Sequence, residues 1–244
     1  MPAEQLGLRA RGQRGGWRQG AGRPKGSRSL SRIPHRPRPA LNGHQAAHVT
    51  VKVLPMRRSL RSPRASRALE AIFVCEKRRQ GFRLLHYCIR RDHIHLVCES
   101  DNAVALSRAM QRLGSRIARR LNQLWDREGR FFADRYHGRV ITTPRDYRNV
   151  LRYVLLNFHK DALIQDGQLL GGGFDPCSSA EWFDGWHPSA RRSPDGSLCE
   201  ARPPPERREP TVTEPKSWLA RQGWRRHGLL RPSELARAWV RAVR

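Results

Sequence analysis

The sequence of 244 residues predicts an α+β fold. The expected architecture is a ferredoxin-like, split βαβ antiparallel sheet with helices on one face and an added C-terminal helix that carries a tyrosine. Segments of strand and helix pattern follow in the order strand, helix, strand, strand, helix, strand, helix. Stretches rich in Gly, Pro and Ser flank them. The chain is therefore divided into a disordered basic arm (1–46), a folded domain (47–161) and a loosely structured tail (162–244).

The first half of the domain has three predicted strands and one helix. Residues 48–53 alternate between polar and β-branched apolar side chains, which is typical of a half-buried strand. Apolar residues at helical spacing predict a helix over 64–79. Two strand patterns follow at 82–89 and 93–99. The three polar residues between them are a hairpin-length connection.

The second half adds two helices and the last strand. Asp101 is a candidate N-cap for a long helix over 103–126. A short β-like run covers 138–142. Thr143-Pro144 then opens a helix over 145–159, because proline suits a first helical turn. We expect the apolar stripe of this last helix to pack over the edge of the sheet.

Composition limits the possible partners. The chain has 48 Lys and Arg against 21 Asp and Glu, a formal net charge of +27. This excess favours nucleic acid as a partner, although a ribosome-associated or merely soluble basic protein would share it. No apolar run approaches the roughly 18 residues of a membrane-spanning helix. The five cysteines follow no short repeating frame, which favours free thiols in a reducing cytoplasm.

A His-x-His motif, His93-Ile94-His95, lies on the third predicted strand. Side chains alternate along a strand, so both imidazoles share one face and can hold one divalent ion with positions left open for a phosphate. Taken alone, such a pair is more often two partly exposed polar residues on the open face of a sheet. A closed zinc site with Cys88 and Cys98 is a third interpretation, which alternation weakens because Cys98 should face away from the two histidines.

The last predicted helix carries Tyr153 and Asn157, which lie together because they are four residues apart. A phenol is a weak nucleophile at its usual pKa of about 10, so a tyrosine that attacks phosphate needs a metal or base nearby. An amide oxygen can complete a two-histidine metal site. The alternative is an ordinary boundary aromatic and a polar residue near the end of the helix. We favour Tyr153 over Tyr136 as the reactive tyrosine, because only Tyr153 has an Asn one turn further on.

These motifs together resemble the single-tyrosine HUH transposases, and most of all the REP-associated tyrosine transposases. The resemblance rests on His93-Ile94-His95, on Tyr153 and Asn157 about 58 residues later, and on the segments 36–40 and 132–139. It covers roughly residues 36–187.

The resemblance implies an activity. His93, His95 and Asn157 match the ligands of Mg²⁺ or Mn²⁺, and Tyr153 matches the nucleophile. The implied enzyme is an endonuclease and strand transferase for single-stranded or hairpin DNA, which forms a 5′-phosphotyrosine link and releases a 3′-OH. It would be a monomer or weak homodimer in the bacterial cytoplasm, associated with the nucleoid. One departure is Phe158-His159, where the family usually has Pro-Val after the Asn.

Five arginines are candidate DNA-phosphate contacts, which would set register and salt dependence: Arg116, Arg119, Arg120, Arg135 and Arg139. A solvated helix face is the simpler alternative for the three on the second helix. In the tail, we expect the tryptophan cluster at 182–186 to dock on the domain.

Other functions compete with this one. The first is a non-catalytic DNA-binding protein derived from such a transposase. A replication initiator or relaxase is disfavoured, because Leu156 stands where those enzymes typically carry Lys. An RNA-binding ferredoxin-like domain would place aromatic residues on the central strands, and the predicted hairpin offers only Phe82 and Tyr87.

Overall fold

The computed structural model describes residues 42–77, 79–166, 174–188, 209–231 and 234. Its main elements are β1 (Asn42–Lys52), α1 (Pro63–Lys77), β2 (Phe82–Ile89), β3 (His93–Asn102), α2 (Ala103–Leu124), β4 (His137–Val140) and α3 (Pro144–Asp166). A short α4 (Trp218–Arg221) and two 3₁₀ turns (Ser179–Trp182 and Gly223–His227) follow. The predicted α+β class and element order are confirmed. The basic arm falls outside the described residues, except for its last five, which belong to β1.

Several element boundaries differ from the sequence-based expectation, among them the end of α3, which lies at Asp166 and not at 159. β1 begins at Asn42, six residues before His48, because its early residues pair with the end of β3. The N-cap of α2 is Asn102 and not Asp101: the Asn102 side chain accepts a hydrogen bond of 2.8 Å from the backbone N–H of Ala105. Either residue type can cap a helix, and the length of β3 decides which one does.

The sheet has the strand order β2-β3-β1-β4, and every neighbouring pair is antiparallel. This is the order expected of the ferredoxin-like arrangement, with β1 and β3 at the centre. The register places Thr50 opposite His95 on one side and opposite His137 on the other. His48 likewise lies opposite Arg139 of β4.

Helices α1 and α2 cover one face of the sheet. The strands contribute every second residue to this core, and the helices contribute their apolar stripes. Buried members include Val49, Val51, Ile94, Leu96, Leu69, Phe73, Leu113 and Ile117. The core is mainly apolar, so its burial supplies a large part of the hydrophobic stabilisation of the domain.

The expectation that helices lie on one face is confirmed for α1 and α2, whereas the added helix α3 covers the opposite face. Its buried residues Leu151 and Val154 pack in a second core that also holds Leu85 and Val97 of the sheet. The expected packing over the sheet edge is therefore wrong. The strands are apolar on both faces in this region, so α3 buries more surface across the sheet than at its edge.

The C-terminal segments complete the second core. Phe183, Trp186 and Trp224 are buried in it, so the docking expected for the tryptophan cluster is seen for two of its residues. The buried carboxylate of Glu99 accepts hydrogen bonds from the backbone N–H groups of Lys216 and Ser217, at 2.8 and 3.0 Å. The packing therefore continues past residue 161, where the sequence-based boundary of the domain lies.

Two further observations concern helices and thiols. Within the described ranges, no helix combines the length and apolar character needed to cross a membrane. Cys75, Cys88, Cys98 and Cys177 are free thiols. Cys98 lies in the first core and the histidine pair on the opposite face, which is against a closed zinc site.

Candidate active site

β3 presents His93 and His95 on the face of the sheet that α3 covers. Ile94 between them belongs to the opposite core, as strand alternation requires. His95 is only 4% exposed, and the Nε2 atoms of the two rings lie 3.0 Å apart. The strand thus brings two imidazole nitrogens to one point beneath the helix.

This spacing fits a divalent cation. Two adjacent ligands of an octahedral ion, each at about 2.1 Å, lie about 3 Å apart. The Asp92 carboxylate accepts a hydrogen bond of 2.7 Å from Nδ1 of His93, which leaves the lone pair of Nε2 facing His95. Among the residues the structure describes, no three His, Cys, Asp or Glu side chains gather around one such point. Within the described residues, a further protein ligand would therefore be of another type.

Asn157, the expected third ligand, lies in α3 one turn beyond Tyr153. Its side chain falls outside the described residues, as do those of Phe158 and His159. The amide oxygen remains a predicted ligand.

A third histidine, His48 on β1, joins the pair. Its Nε2 lies 3.2 Å from Nδ1 of His95, and the hydroxyl oxygen of Thr50 lies 3.2 Å from the same atom. Burial lowers the pKa of His95 to about 3 and that of His48 to about 4. Both rings are therefore neutral near pH 7, and His95 can keep a lone pair on Nε2.

Tyr153 reaches this group from α3. Its hydroxyl oxygen lies 3.3 Å from Nε2 of His95, and its ring meets the rings of His95 and His48 edge to face at 5.0 and 5.9 Å. The side chain is 43% exposed, so a strand in solution can reach the phenol. The other tyrosines differ: Tyr87 and Tyr147 are buried, and Tyr136 packs against the first core.

The five candidate arginines separate into two groups. Arg139 on β4 faces the site, beside His48, and pairs with Asp146 at 3.1 Å from Nη2 to Oδ1. Arg135 lines a cavity of about 550 Å³ between α2 and the first face of the sheet.

The remaining three, Arg116, Arg119 and Arg120, line a groove of about 910 Å³ between α1 and α2. They belong to the layer opposite the histidines, so a role in DNA contact there would be separate from the site. It stays a prediction.

The sequence analysis did not identify His48 or Thr50 as site residues. A signal was present, because His48 and Thr50 alternate with Val49 and Val51 and so share one face. What was missing is the register of β1 against β3, which brings Thr50 opposite His95.

Comparison with known proteins agrees with the resemblance seen in the sequence. Residues 44–155 match the model of a family described as "Transposase IS200 like". The matched segment contains His48, His93, His95 and Tyr153, and it ends two residues before Asn157. It confirms the resemblance to this transposase family over these residues.

Among solved structures, the chain is similar to a REP-associated tyrosine transposase bound to a REP hairpin. The two share 16% sequence identity, with a TM-score of 0.45, over 53% of this chain and 74% of that one. No curated protein matches the chain.

Proposed function

We propose that residues 44–155, a segment of the IS200-like transposase family, form the core of an endonuclease and strand transferase that acts on single-stranded DNA through a 5′-phosphotyrosine intermediate. One observation carries this proposal. The hydroxyl of an exposed tyrosine lies 3.3 Å from Nε2 of a buried histidine, and that atom lies 3.0 Å from a second imidazole nitrogen. A nucleophile and a two-nitrogen cation site at one accessible point suit phosphoryl transfer.

In this proposal His93 and His95 hold Mg²⁺ or Mn²⁺, with Asn157 as the third protein ligand. When bound, the ion neutralises charge on the scissile phosphate and helps to orient it. Asp92 fixes the His93 ring through Nδ1. His48 and Thr50 do the same for His95. Such partners orient the ligating rings before the substrate arrives.

The reaction proposed for Tyr153 balances as follows. The phenol oxygen attacks the scissile phosphorus and loses its proton to solvent, and the bond from phosphorus to the 3′ oxygen breaks. The leaving oxygen takes up a proton and becomes a 3′-OH, while the 5′ phosphate stays on the tyrosine. A 3′-OH of another strand can later reverse this exchange, because the phosphodiester bond energy is kept in the phosphotyrosine link.

Arg139 lies close enough to the site to hold a flanking phosphate. The proposed substrate is a single strand that carries a hairpin. We propose action as a monomer or weak homodimer in the bacterial cytoplasm, next to the nucleoid.

A cleavage assay tests the proposal. The probe is a pool of single strands with one fixed hairpin and randomised flanks, labelled at the 5′ end in one sample and at the 3′ end in another. With Mn²⁺, we expect the 3′ label to move with the protein through denaturing electrophoresis, and the 5′-labelled product to be extended by a polymerase. Chelation of the metal should abolish both signals.

Two variants provide the comparison. Tyr153→Phe should give no covalent product. Tyr147→Phe removes the same atom from a buried residue of the same helix, whose hydroxyl has no hydrogen-bond partner among the described residues, and should cleave like the wild type. Cleavage by Tyr153→Phe, or a free 5′ phosphate from the wild type, would refute the proposal. Binding without cleavage would favour the non-catalytic DNA-binding protein.

A further inference from the structure

An exposed indole in the C-terminal segment has no part in the site described above. Trp218 is 50% exposed, which only Val104 exceeds among the large apolar side chains of the described residues. Burying an indole is strongly favourable, so a tryptophan left half in solvent while Trp224 of the same segment is buried suggests a surface for a ligand.

The Trp218 side chain is held in place. Ser217, which precedes it, caps α4 and donates a hydrogen bond of 2.6 Å from its hydroxyl to the buried carboxylate of Glu99. A Cβ atom on Gly223 would lie 2.7 Å from Cζ3 of the indole, so the ring rests directly on glycine backbone. An exposed but immobilised ring loses little conformational entropy when a ligand stacks on it.

Basic residues lie close to Trp218 in the sequence, and one of them contacts its ring. The guanidinium carbon of Arg226 lies 4.8 Å from the Trp218 ring centroid. Lys216, Arg221 and Arg226 are exposed, and in the described part of the chain none of their charged side-chain nitrogens has a carboxylate oxygen within 4 Å. Arg225 differs, because it pairs with Asp184 at 2.7 Å. The charges of Lys216, Arg221 and Arg226 are thus available to an anionic ligand.

We propose that Trp218, Lys216, Arg221 and Arg226 form a second nucleic-acid contact that binds single-stranded DNA. A base stacks on the exposed surface formed by the indole and the Arg226 guanidinium that lies over it, and Lys216 and Arg221 pair with phosphates. The bases of a duplex are stacked on one another, so this contact selects an unpaired strand.

The position suits the same strand that enters the proposed active site, and in this respect the inference rests on the proposed function. Glu99, which anchors the segment, lies four residues beyond His95 on the same face of β3. At about 3.3 Å per residue the two are about 13 Å apart along the strand. The contact would hold the flank of the substrate while its phosphodiester bond is cleaved.

The contact is tested separately from the proposed reaction by measuring DNA affinity under conditions in which no cleavage takes place. Affinity for an unstructured, labelled oligothymidylate is measured in the Tyr153→Phe background with the metal chelated. We expect Trp218→Ala to weaken binding about tenfold and Trp218→Phe to restore most of it, because a phenyl ring still stacks. Arg221→Gln should weaken binding more than Arg108→Gln, a charge-matched change at an exposed residue of α2.

Photocross-linking tests the same contact in a protein that keeps Trp218, in case Trp218→Ala disturbs the folding of the C-terminal segment. In the Tyr153→Phe protein, a strand substituted with 5-iodo-2′-deoxyuridine should cross-link to the peptide that contains Trp218. Unchanged affinity in Trp218→Ala, cross-links confined to other peptides, or equal competition by duplex DNA would each overturn the inference. Failure of the cleavage assay alone would refute the proposed function and leave this contact intact.

Discussion

The two faces of the sheet are built from the same strands for different purposes. On the α1 and α2 face, β1 and β3 contribute the apolar side chains of Val49, Val51, Ile94 and Leu96 to the core. On the α3 face, the same strands are apolar near Val97 but carry histidines near His95. Because side chains alternate along a strand, each site residue is flanked by core residues that hold its backbone rigid.

The histidines buried on the α3 face reduce the stability that this face contributes to the fold. The imidazole of His95 is buried, and its loss of solvation lowers its pKa to about 3. Burial of polar groups stabilises a fold less than burial of apolar groups, so we expect the first core to support a site that contributes little stability of its own. The following predictions test this division, from the largest expected effect to the smallest.

The largest expected effect is on cleavage in His95→Ala. Loss of a cation ligand removes several kcal/mol of transition-state stabilisation, so the rate should fall about a thousandfold or more. Titration with Mn²⁺ should show weakened binding. His227→Ala, at an exposed histidine in the second 3₁₀ turn, is the matched control and should bind Mn²⁺ normally. Cleavage within tenfold of the wild type would show that the histidine pair does not hold the ion.

A matched pair of leucines compares the two cores. Leu69 on α1 and Leu151 on α3 are both fully buried, one in each core. Either change to alanine should lower the free energy of unfolding by about 2–5 kcal/mol, measured by urea denaturation. Only Leu151→Ala should also slow cleavage at temperatures where the protein is folded, because α3 positions Tyr153. Equal loss of activity in both variants would contradict the separation of the faces.

His48→Ala tests a residue that acts through His95. Removal of a group that orients a metal-ligating ring typically costs about 10–100-fold in metal affinity or activity. We expect a loss of this size in Mn²⁺ affinity, with unfolding in chelator changed much less. His48→Gln, which keeps a hydrogen-bonding group, should recover part of it. If Mn²⁺ affinity were unchanged in His48→Ala, the proposed positioning role would be wrong.

The smallest expected effect is on the pH dependence of stability. Burial lowers the pKa values of His48, His86 and His95 to about 4, 3 and 3, whereas unfolding returns each to about 6.5. The unfolded chain therefore binds more protons at pH 5, so the free energy of unfolding falls as the pH drops from 6.5 towards 4. Each histidine contributes a slope of about 1.4 kcal/mol per pH unit.

His86 allows the contribution of a single histidine to be measured, because it is buried beside Phe183 and is not part of the proposed site. In the presence of chelator, the free energy of unfolding of His86→Leu should fall less steeply between pH 6 and pH 5 than that of the wild type. The expected difference is about 1.4 kcal/mol per pH unit. An unchanged slope would show that His86 is protonated in the folded state.

Local patterns predicted the parts of the molecule that depend on a single element. Alternation in β3 placed His93 and His95 on one face, and helical spacing placed Leu151 and Val154 on the buried side of α3. What remained hidden depends on how elements meet. The pairing of His48 with His95 follows from strand register, which no single segment encodes.

The sequence pattern of a helix likewise does not show which face of the sheet the helix covers. Helical periodicity shows that Arg116 and Arg120 lie near each other but cannot show which side of the sheet their helix covers. The anchoring of Ser217 by Glu99 joins residues 118 positions apart across stretches rich in Gly and Pro. Short segments of this kind acquire structure only by packing on the sheet, so their own sequence pattern is weak.

The central claim is that the Tyr153 hydroxyl is the atom that attacks DNA. Its most direct test is peptide mapping by mass spectrometry after reaction of the wild-type protein with a hairpin-bearing single strand and Mn²⁺, followed by nuclease digestion of the DNA. We expect the peptide that contains Tyr153 to gain the mass of a 5′-linked nucleotide at that residue. A nucleotide found on Tyr136 or another residue, or cleaved DNA with no covalent adduct, would contradict the claim.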